Sequence, residues 1–181
     1  MPAIVRRDAI VTTPYFRLVG KHVEGDETDD PHYALELSDY VAVVACTIGG
    51  DFVLVRQFRP AVEAQTLELP AGHVDPGHTP EEAARKELLE ETGCVADRVI
   101  PVGCLRPDTG RLGNRMWVFF APGVERRAAK GEEADVEVVV ATPAELSQWI
   151  TDGAFDHALH VAALFLTVRA GFLQFPPGGP R

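Results

Sequence analysis

Residues 72–93, GHVDPGHTPEEAARKELLEETG, restrict the possible folds of this chain more than any other stretch. Thr79 stands at a helix N-cap, Pro80 at the first helical position, and Glu82 reaches back to close a capping box. Gly93 stands where a left-handed residue ends a helix. These signals predict a helix from about Pro80 to Thr92, and a helix bounded at both ends gives its carboxylates a definite phase. With Ala84 at zero and about 100° per residue, Leu88 falls at about +40°, Glu87 at about −60° and Glu91 at about −20°. Glu87 and Glu91 therefore share a face with Ala84 and Leu88, whereas Glu82, Arg85 and Lys86 point elsewhere. Like charges four residues apart repel by roughly 0.2–0.5 kcal/mol on an open helix, and by more where the dielectric is low. A divalent cation makes the arrangement favourable, and carboxylate oxygens suit Mg²⁺ or Mn²⁺. A solvated acidic face is the plainer reading of a Glu-rich run. The two caps and the apolar neighbours favour a metal site.

The same stretch resembles the Nudix box, G-x5-E-x7-R-E-U-x-E-E-x-G-U with U aliphatic. Gly72 takes the first position, Glu87 the glutamate after the arginine, Leu88 the first aliphatic, Glu90 and Glu91 the paired glutamates, and Gly93 the last glycine. Three positions depart from the motif. His78 stands for the first Glu, Lys86 for Arg, and Cys94 for a bulky aliphatic, which is a mild change. In the family the Glu and Arg brace the loop against the helix, and His78 with Lys86 cannot reproduce that pair. The metal-binding glutamates are retained.

Val55-Arg56-Gln57-Phe58-Arg59-Pro60 and Leu67-Glu68-Leu69-Pro70-Ala71-Gly72 resemble the subfamily that hydrolyses ADP-ribose and related nucleoside diphosphate sugars. That resemblance implies diphosphate contacts from Arg59 first and Arg56 second. The planar guanidinium fork suits such oxygens, although both are also readable as sheet-edge arginines. It implies metal ligation by the Ala71 carbonyl together with Glu87, Glu91 and, less directly, Glu90. Glu68 is read as a structural or substrate-bonding carboxylate. A general base drawn from a late mobile loop maps to Glu132 or Glu133, each also readable as part of a solvated acidic turn. The loop 106–114 matches in position one that marks ADP-ribose enzymes, with Pro107 near the family's proline. Aromatic residues of the N-terminal strands, Phe16 and Tyr33, are candidates to stack on the base, often across a dimer.

The 181 residues, 46% of them hydrophobic, suffice for one good core. A net charge of −10 argues against a nucleic-acid surface. It does not argue against an anionic small substrate, because a bound cation and local arginines reverse the sign inside a pocket. No leader and no long apolar run stands out, so neither secretion nor membrane insertion is expected. Cys46, Cys94 and Cys104 have no metal-ligand spacing and suit free thiols in a reducing cytoplasm. His157 and His160 sit one turn apart on an apolar helix without a third ligand in view, and read as satisfied or exposed histidines. Trp117 and Trp149 read as core.

Residues 1–38 read as N-terminal strands that form a dimerisation element, 39–174 as the Nudix domain and 175–181 as a loose tail. Strands are expected at Tyr40–Ile48, Phe52–Gln57, Val99–Leu105, Met116–Ala121 and Val136–Val140. Further helices are expected from the Thr142 cap to about Thr151, and from near Asp156 to about Arg169. The fold class is α/β, and the resemblance makes it a mixed sheet sandwiched between helices. It further implies a metal-dependent hydrolysis in which water attacks one phosphorus and a loop glutamate takes its proton, with a homodimer as the working unit. Two other readings stand beside this one. One is a different Nudix specificity, such as GDP-mannose or a dinucleotide. The other is a weakly catalytic ligand-binding module, for which His78 and Lys86 are the only support.

Overall fold

The computed structural model describes residues 1–26, 28, 30–127 and 135–174. The elements run β1 (Ile4–Thr12), β2 (Phe16–Val23), β3 (His32–Leu37), β4 (Tyr40–Thr47), β5 (Phe52–Arg59), β6 (Ala64–Glu68), β7 (Ala71–His73), α1 (Pro80–Thr92), β8 (Cys94–Val95), β9 (Ile100–Leu105), β10 (Met116–Arg126), β11 (Glu137–Ala141), α2 (Pro143–Asp152) and α3 (Ala158–Arg169). β1, β2 and β3 form an antiparallel sheet of their own. The rest build a mixed sheet in the order β11-β5-β4-β10-β8, with β6 on β5, β7 on β4 and β9 on β10. Among the described strands its parallel pair is β4 with β10.

The central strand β4 shows why the sheet is sandwiched. Val41, Val43 and Ala45 face one way and pack with Ala83, Ala84 and Leu88 of α1. Ala42, Val44 and Cys46 face the other way, toward Leu146, Phe155, Ala163 and Leu164 in and around α2 and α3. A strand buried on both faces reads as a continuous apolar run, as this one does. α1 begins and ends where the sequence signals place it. Thr79 Oγ1 accepts the Glu82 N–H at 3.3 Å, Glu82 Oε2 accepts the Thr79 N–H at 2.7 Å, and Gly93 closes the helix at φ 69°. Anchored in this way, α1 presents one fixed face to the sheet.

Two differences from the expected strands have local causes. Pro70 hides β6 and β7, because proline reads as a breaker. Here it lies between the two strands, and its carbonyl still accepts the Val43 N–H at 2.8 Å, so the chain is already bonded to β4 as it passes from β6 to β7. Strand β10 continues past Ala121 to Arg126. Pro122-Gly123 is absorbed as an irregularity in its pairing with β4, with Gly123 at φ 66°. The apolar helix α3 is only partly covered, and Phe165 is 63% exposed. Among the described residues no helix is long and apolar enough to cross a membrane.

Candidate active site

Helix α1 and strand β7 build one wall of a cavity of about 440 Å³, within the range of small-molecule sites. Glu87 and Glu91 line it and are buried, as the helical phase requires. Beside them run Ala71 and Gly72. The Ala71 N–H donates to Glu91 Oε2 at 2.9 Å, which fixes that carboxylate and leaves the Ala71 carbonyl to serve as a ligand. Gly72 is required for space, since a Cβ there would overlap the carboxyl group of Glu87. Two buried carboxylates and a backbone carbonyl, with a glycine that makes room for one of them, are oxygen groups of the kind that could hold a hard cation such as Mg²⁺ or Mn²⁺.

The facing wall comes from β5, β6 and α3. Arg59 grips Glu68 bidentately, Nε to Oε1 at 2.8 Å and Nη2 to Oε2 at 2.7 Å, and Thr66 Oγ1 adds a bond to Oε1 at 2.6 Å. Burial alone pushes the Glu68 carboxyl up, but the Arg59 and Thr66 bonds outweigh it and hold the group at about 2. The carboxylate is therefore ionised and fixes the plane of the guanidinium at the cavity edge. His160 is buried, and its Nδ1 accepts the Leu69 N–H at 3.1 Å. Burial, reinforced by the neighbouring His157, pushes His160 down to about 3, so its ring is neutral. Burial also lifts Tyr40 to about 12, keeping its hydroxyl protonated at the cavity rim.

Glu68, His157 and His160 bring ligand atoms within 4.8 Å of one another, a third group that the sequence did not bring into view. Their bonding does not favour a metal. Glu68 already accepts three hydrogen bonds, and His160 Nδ1 is committed to Leu69. The two rings are stacked, 3.8 Å apart with planes 19° from parallel. In-plane lone pairs on stacked rings point side by side and do not converge on one ion.

The other expected residues are placed as follows. Arg56 lies outside the cavity lining and pairs with Glu137 across β5 and β11 at 3.0 Å. That favours the sheet-edge reading for Arg56, whereas Arg59 lines the cavity. Glu90 is half-buried away from the cavity, 3.5 Å from Lys86. Lys86 does not turn to His78. It pairs with Asp75 at 3.1 Å, and the Asp75 contact, with help from Glu90, raises its pKa. Asp75–Lys86 thus braces the loop against α1, while the His78 ring is exposed. Phe16 and Tyr33 lie exposed on the N-terminal sheet, and Glu132 and Glu133 fall outside the described residues. The loop 106–114 ties β3 to the body, with the Leu35 N–H donating to the Arg111 carbonyl at 2.7 Å and the Gly113 N–H to the Leu35 carbonyl at 2.9 Å.

Sequence reasoning missed Gln57, Tyr40, Asp75 and the role of His160. Gln57 lines the cavity with its Nε2 buried and, among the described residues, without a hydrogen-bond partner. Its only sequence signal was its place between Arg56 and Arg59. Asp75 lay in plain view within the loop, but nothing in the spacing connected it with Lys86.

Residues 38–164 match the NUDIX domain family. The chain is 34% identical over 105 residues to an ADP-ribose pyrophosphatase of Bacillus subtilis (strain 168), covering 56% of this chain and 57% of that protein. It is 30% identical over 125 residues to an ADP-ribose pyrophosphatase of Escherichia coli (strain K12), covering 63% and 59%. The chain thus spans less than two thirds of the length of these relatives. The crystal structure of an ADP compounds hydrolase superposes with a TM-score of 0.78, at 22% identity, over 95% of this chain and 97% of that one. That likeness concerns the fold.

Proposed function

The chain belongs to the NUDIX family, and we propose that it hydrolyses the diphosphate bond of ADP-ribose or a related nucleoside diphosphate sugar. The observation that carries this reading is one cavity with Glu87, Glu91, Ala71 and Gly72 on one wall and the oriented Arg59 on the other. The family generally depends on a divalent metal; Glu87, Glu91 and the Ala71 carbonyl would hold Mg²⁺, or Mn²⁺ in its place. A cation bound there neutralises diphosphate charge and makes water a better nucleophile at neutral pH.

The chain's own groups do the rest. With its Nε–Nη2 edge held by Glu68, Arg59 would turn the other edge of its guanidinium to diphosphate oxygens, and Gln57 lines the same cavity with an amide Nε2 that has no partner among the described residues. Water forms a bond to one phosphorus as the bridging P–O bond breaks, and its proton passes to Glu132 or Glu133, assigned from sequence alone. With ADP-ribose the products are AMP and ribose 5-phosphate. A hydrolysis screen across ADP-ribose, GDP-mannose, UDP-glucose, NADH and diadenosine polyphosphates, with Mg²⁺ and Mn²⁺, tests the reading. AMP release from ADP-ribose well above the other substrates is expected. Preference for GDP-mannose or a dinucleotide would move the specificity, and no turnover of any substrate would remove the enzyme reading.

The working unit is proposed to be a homodimer. Strand β1 is exposed along almost its whole length, and Val5, Ile10, Val11 and Tyr33 leave the N-terminal sheet with apolar surface. The sheet buries Val19 on β2, but β1 at its edge packs little of its apolar surface. A second copy laid on this sheet buries those side chains and brings Phe16 and Tyr33 toward a partner's cavity. Sedimentation at micromolar concentration should give twice the 19.7 kDa chain mass. A monomer there would rule out a shared site.

A further inference from the structure

Glu68, Leu69, Pro70 and Ala71 form a short span with an outsized role, since it carries the partner of Arg59 at one end and the carbonyl beside Glu91 at the other. Each of its residues is fastened by a different group. Arg59 and Thr66 hold Glu68, the Val43 N–H holds the Pro70 carbonyl, and Glu91 holds the Ala71 N–H. These partners belong to the sheet and α1. The Leu69 N–H is held from elsewhere, by His160 Nδ1 on α3, 91 residues along the chain. Leu69 is fully buried and His160 nearly so, so an unbonded N–H at this point would find no water.

We infer that His160 is a positioning residue, one that sets the placement of Ala71 and Glu68 by accepting the Leu69 N–H. The inference rests on the proposed function only for what the positioned groups serve. The bond requires an unprotonated Nδ1, so the ring carries its proton on Nε2. Groups that hydrogen-bond to metal ligands commonly affect affinity by about 10- to 100-fold, and His160 acts one step further out, on the backbone between Glu68 and Ala71. His160 therefore couples α3 to cation binding without touching the cation. A purely space-filling His160, packed against Phe155 and His157, would depend on ring volume and not on the acceptor.

The test needs no substrate. His160→Asn keeps an acceptor near the Nδ1 position, whereas His160→Leu keeps apolar volume and removes the acceptor. In His160→Leu, the Leu69 amide should exchange with solvent much faster than in the wild type, and Mn²⁺ affinity by titration calorimetry should fall about 10-fold or more. His160→Asn should stay within about 3-fold of the wild type on both readouts. Equal losses in the two folded variants, or no loss in His160→Leu, would overturn the inference. Should His160→Leu fail to fold, long-range ¹H–¹⁵N spectra of the wild type decide, because a proton on Nδ1 is incompatible with the bond. Mn²⁺ affinity that shifts as expected in a protein inactive on every diphosphate would leave His160 in place and overturn only the substrate reading.

Discussion

Replacing Glu87 or Glu91 by glutamine should lower turnover at least ~100-fold, a rise of roughly 2.7 kcal/mol in the barrier. Glutamine preserves shape and removes charge, so the loss reports on charge. Both carboxylates are buried on the cavity side of α1, and the Ala71 N–H fixes Glu91 in place. Two carboxylates on adjacent turns facing one cavity are well placed to share a cation. Glu90→Gln should cost far less, within about 10-fold, because Glu90 is half-exposed and turned toward Lys86. Excess EDTA should abolish activity, and added Mg²⁺ should restore it. Steady-state kinetics on the best substrate of the screen, with circular dichroism as a folding control, would read all three variants. Full activity in EDTA, or Glu90→Gln as damaging as the other two, would remove the assignment of the cation to Glu87 and Glu91.

How far the sequence reached depends on the range of the interaction concerned. Helix α1 was legible to the residue because its signals are local, a capping box at Thr79 and a glycine at Gly93. The burial of Glu87 and Glu91 followed from helical phase alone. Strand β4 was legible because burial on both faces makes it uniformly apolar. What escaped depends on chain segments meeting in space. The Asp75–Lys86 pair joins a loop to a helix, and only the loop's path shows that Lys86 turns to Asp75 and not to His78. The Leu69–His160 bond crosses 91 residues, and His160 by itself looks like any histidine on an apolar helix. Strands β6 and β7 were hidden by Pro70, whose usual effect on a sheet is cancelled because it sits between strands. Arg59 outranked Arg56 by resemblance. In the structure Glu68 pairs with Arg59 in the cavity lining, and Glu137 pairs with Arg56 outside it.

Among the described glycines, Gly72→Ala meets the most severe overlap and should be strongly damaging. The glycine is not needed for an unusual backbone, since Gly72 pairs with Val41 in the ordinary register of β7 on β4. It is needed because the added Cβ would occupy the space of the Glu87 carboxyl group. Relief has to come from one side or the other. Helix α1 cannot retreat, because Ala84 and Leu88 are packed against the sheet with essentially no exposure. Strand β7 cannot yield freely either, because Ala71 is held by Glu91 and Pro70 by Val43. The Glu87 side chain must therefore leave its place, and the donor set leaves with it. Overpacking of this kind costs about 1–3 kcal/mol of stability. Displacing a ligand by about 1 Å is enough to lower kcat roughly 100-fold. Gly77→Ala supplies the control, because Gly77 has φ +88° in the loop before α1 with nothing within 4 Å of an added Cβ. That change strains the backbone and should cost about 1 kcal/mol, yet leave turnover within a few-fold. Denaturant midpoints and kcat, measured for both variants, separate the two effects. A Gly72→Ala enzyme with wild-type turnover would show that Glu87 has room to move, and that the close approach of β7 to α1 does not set the site.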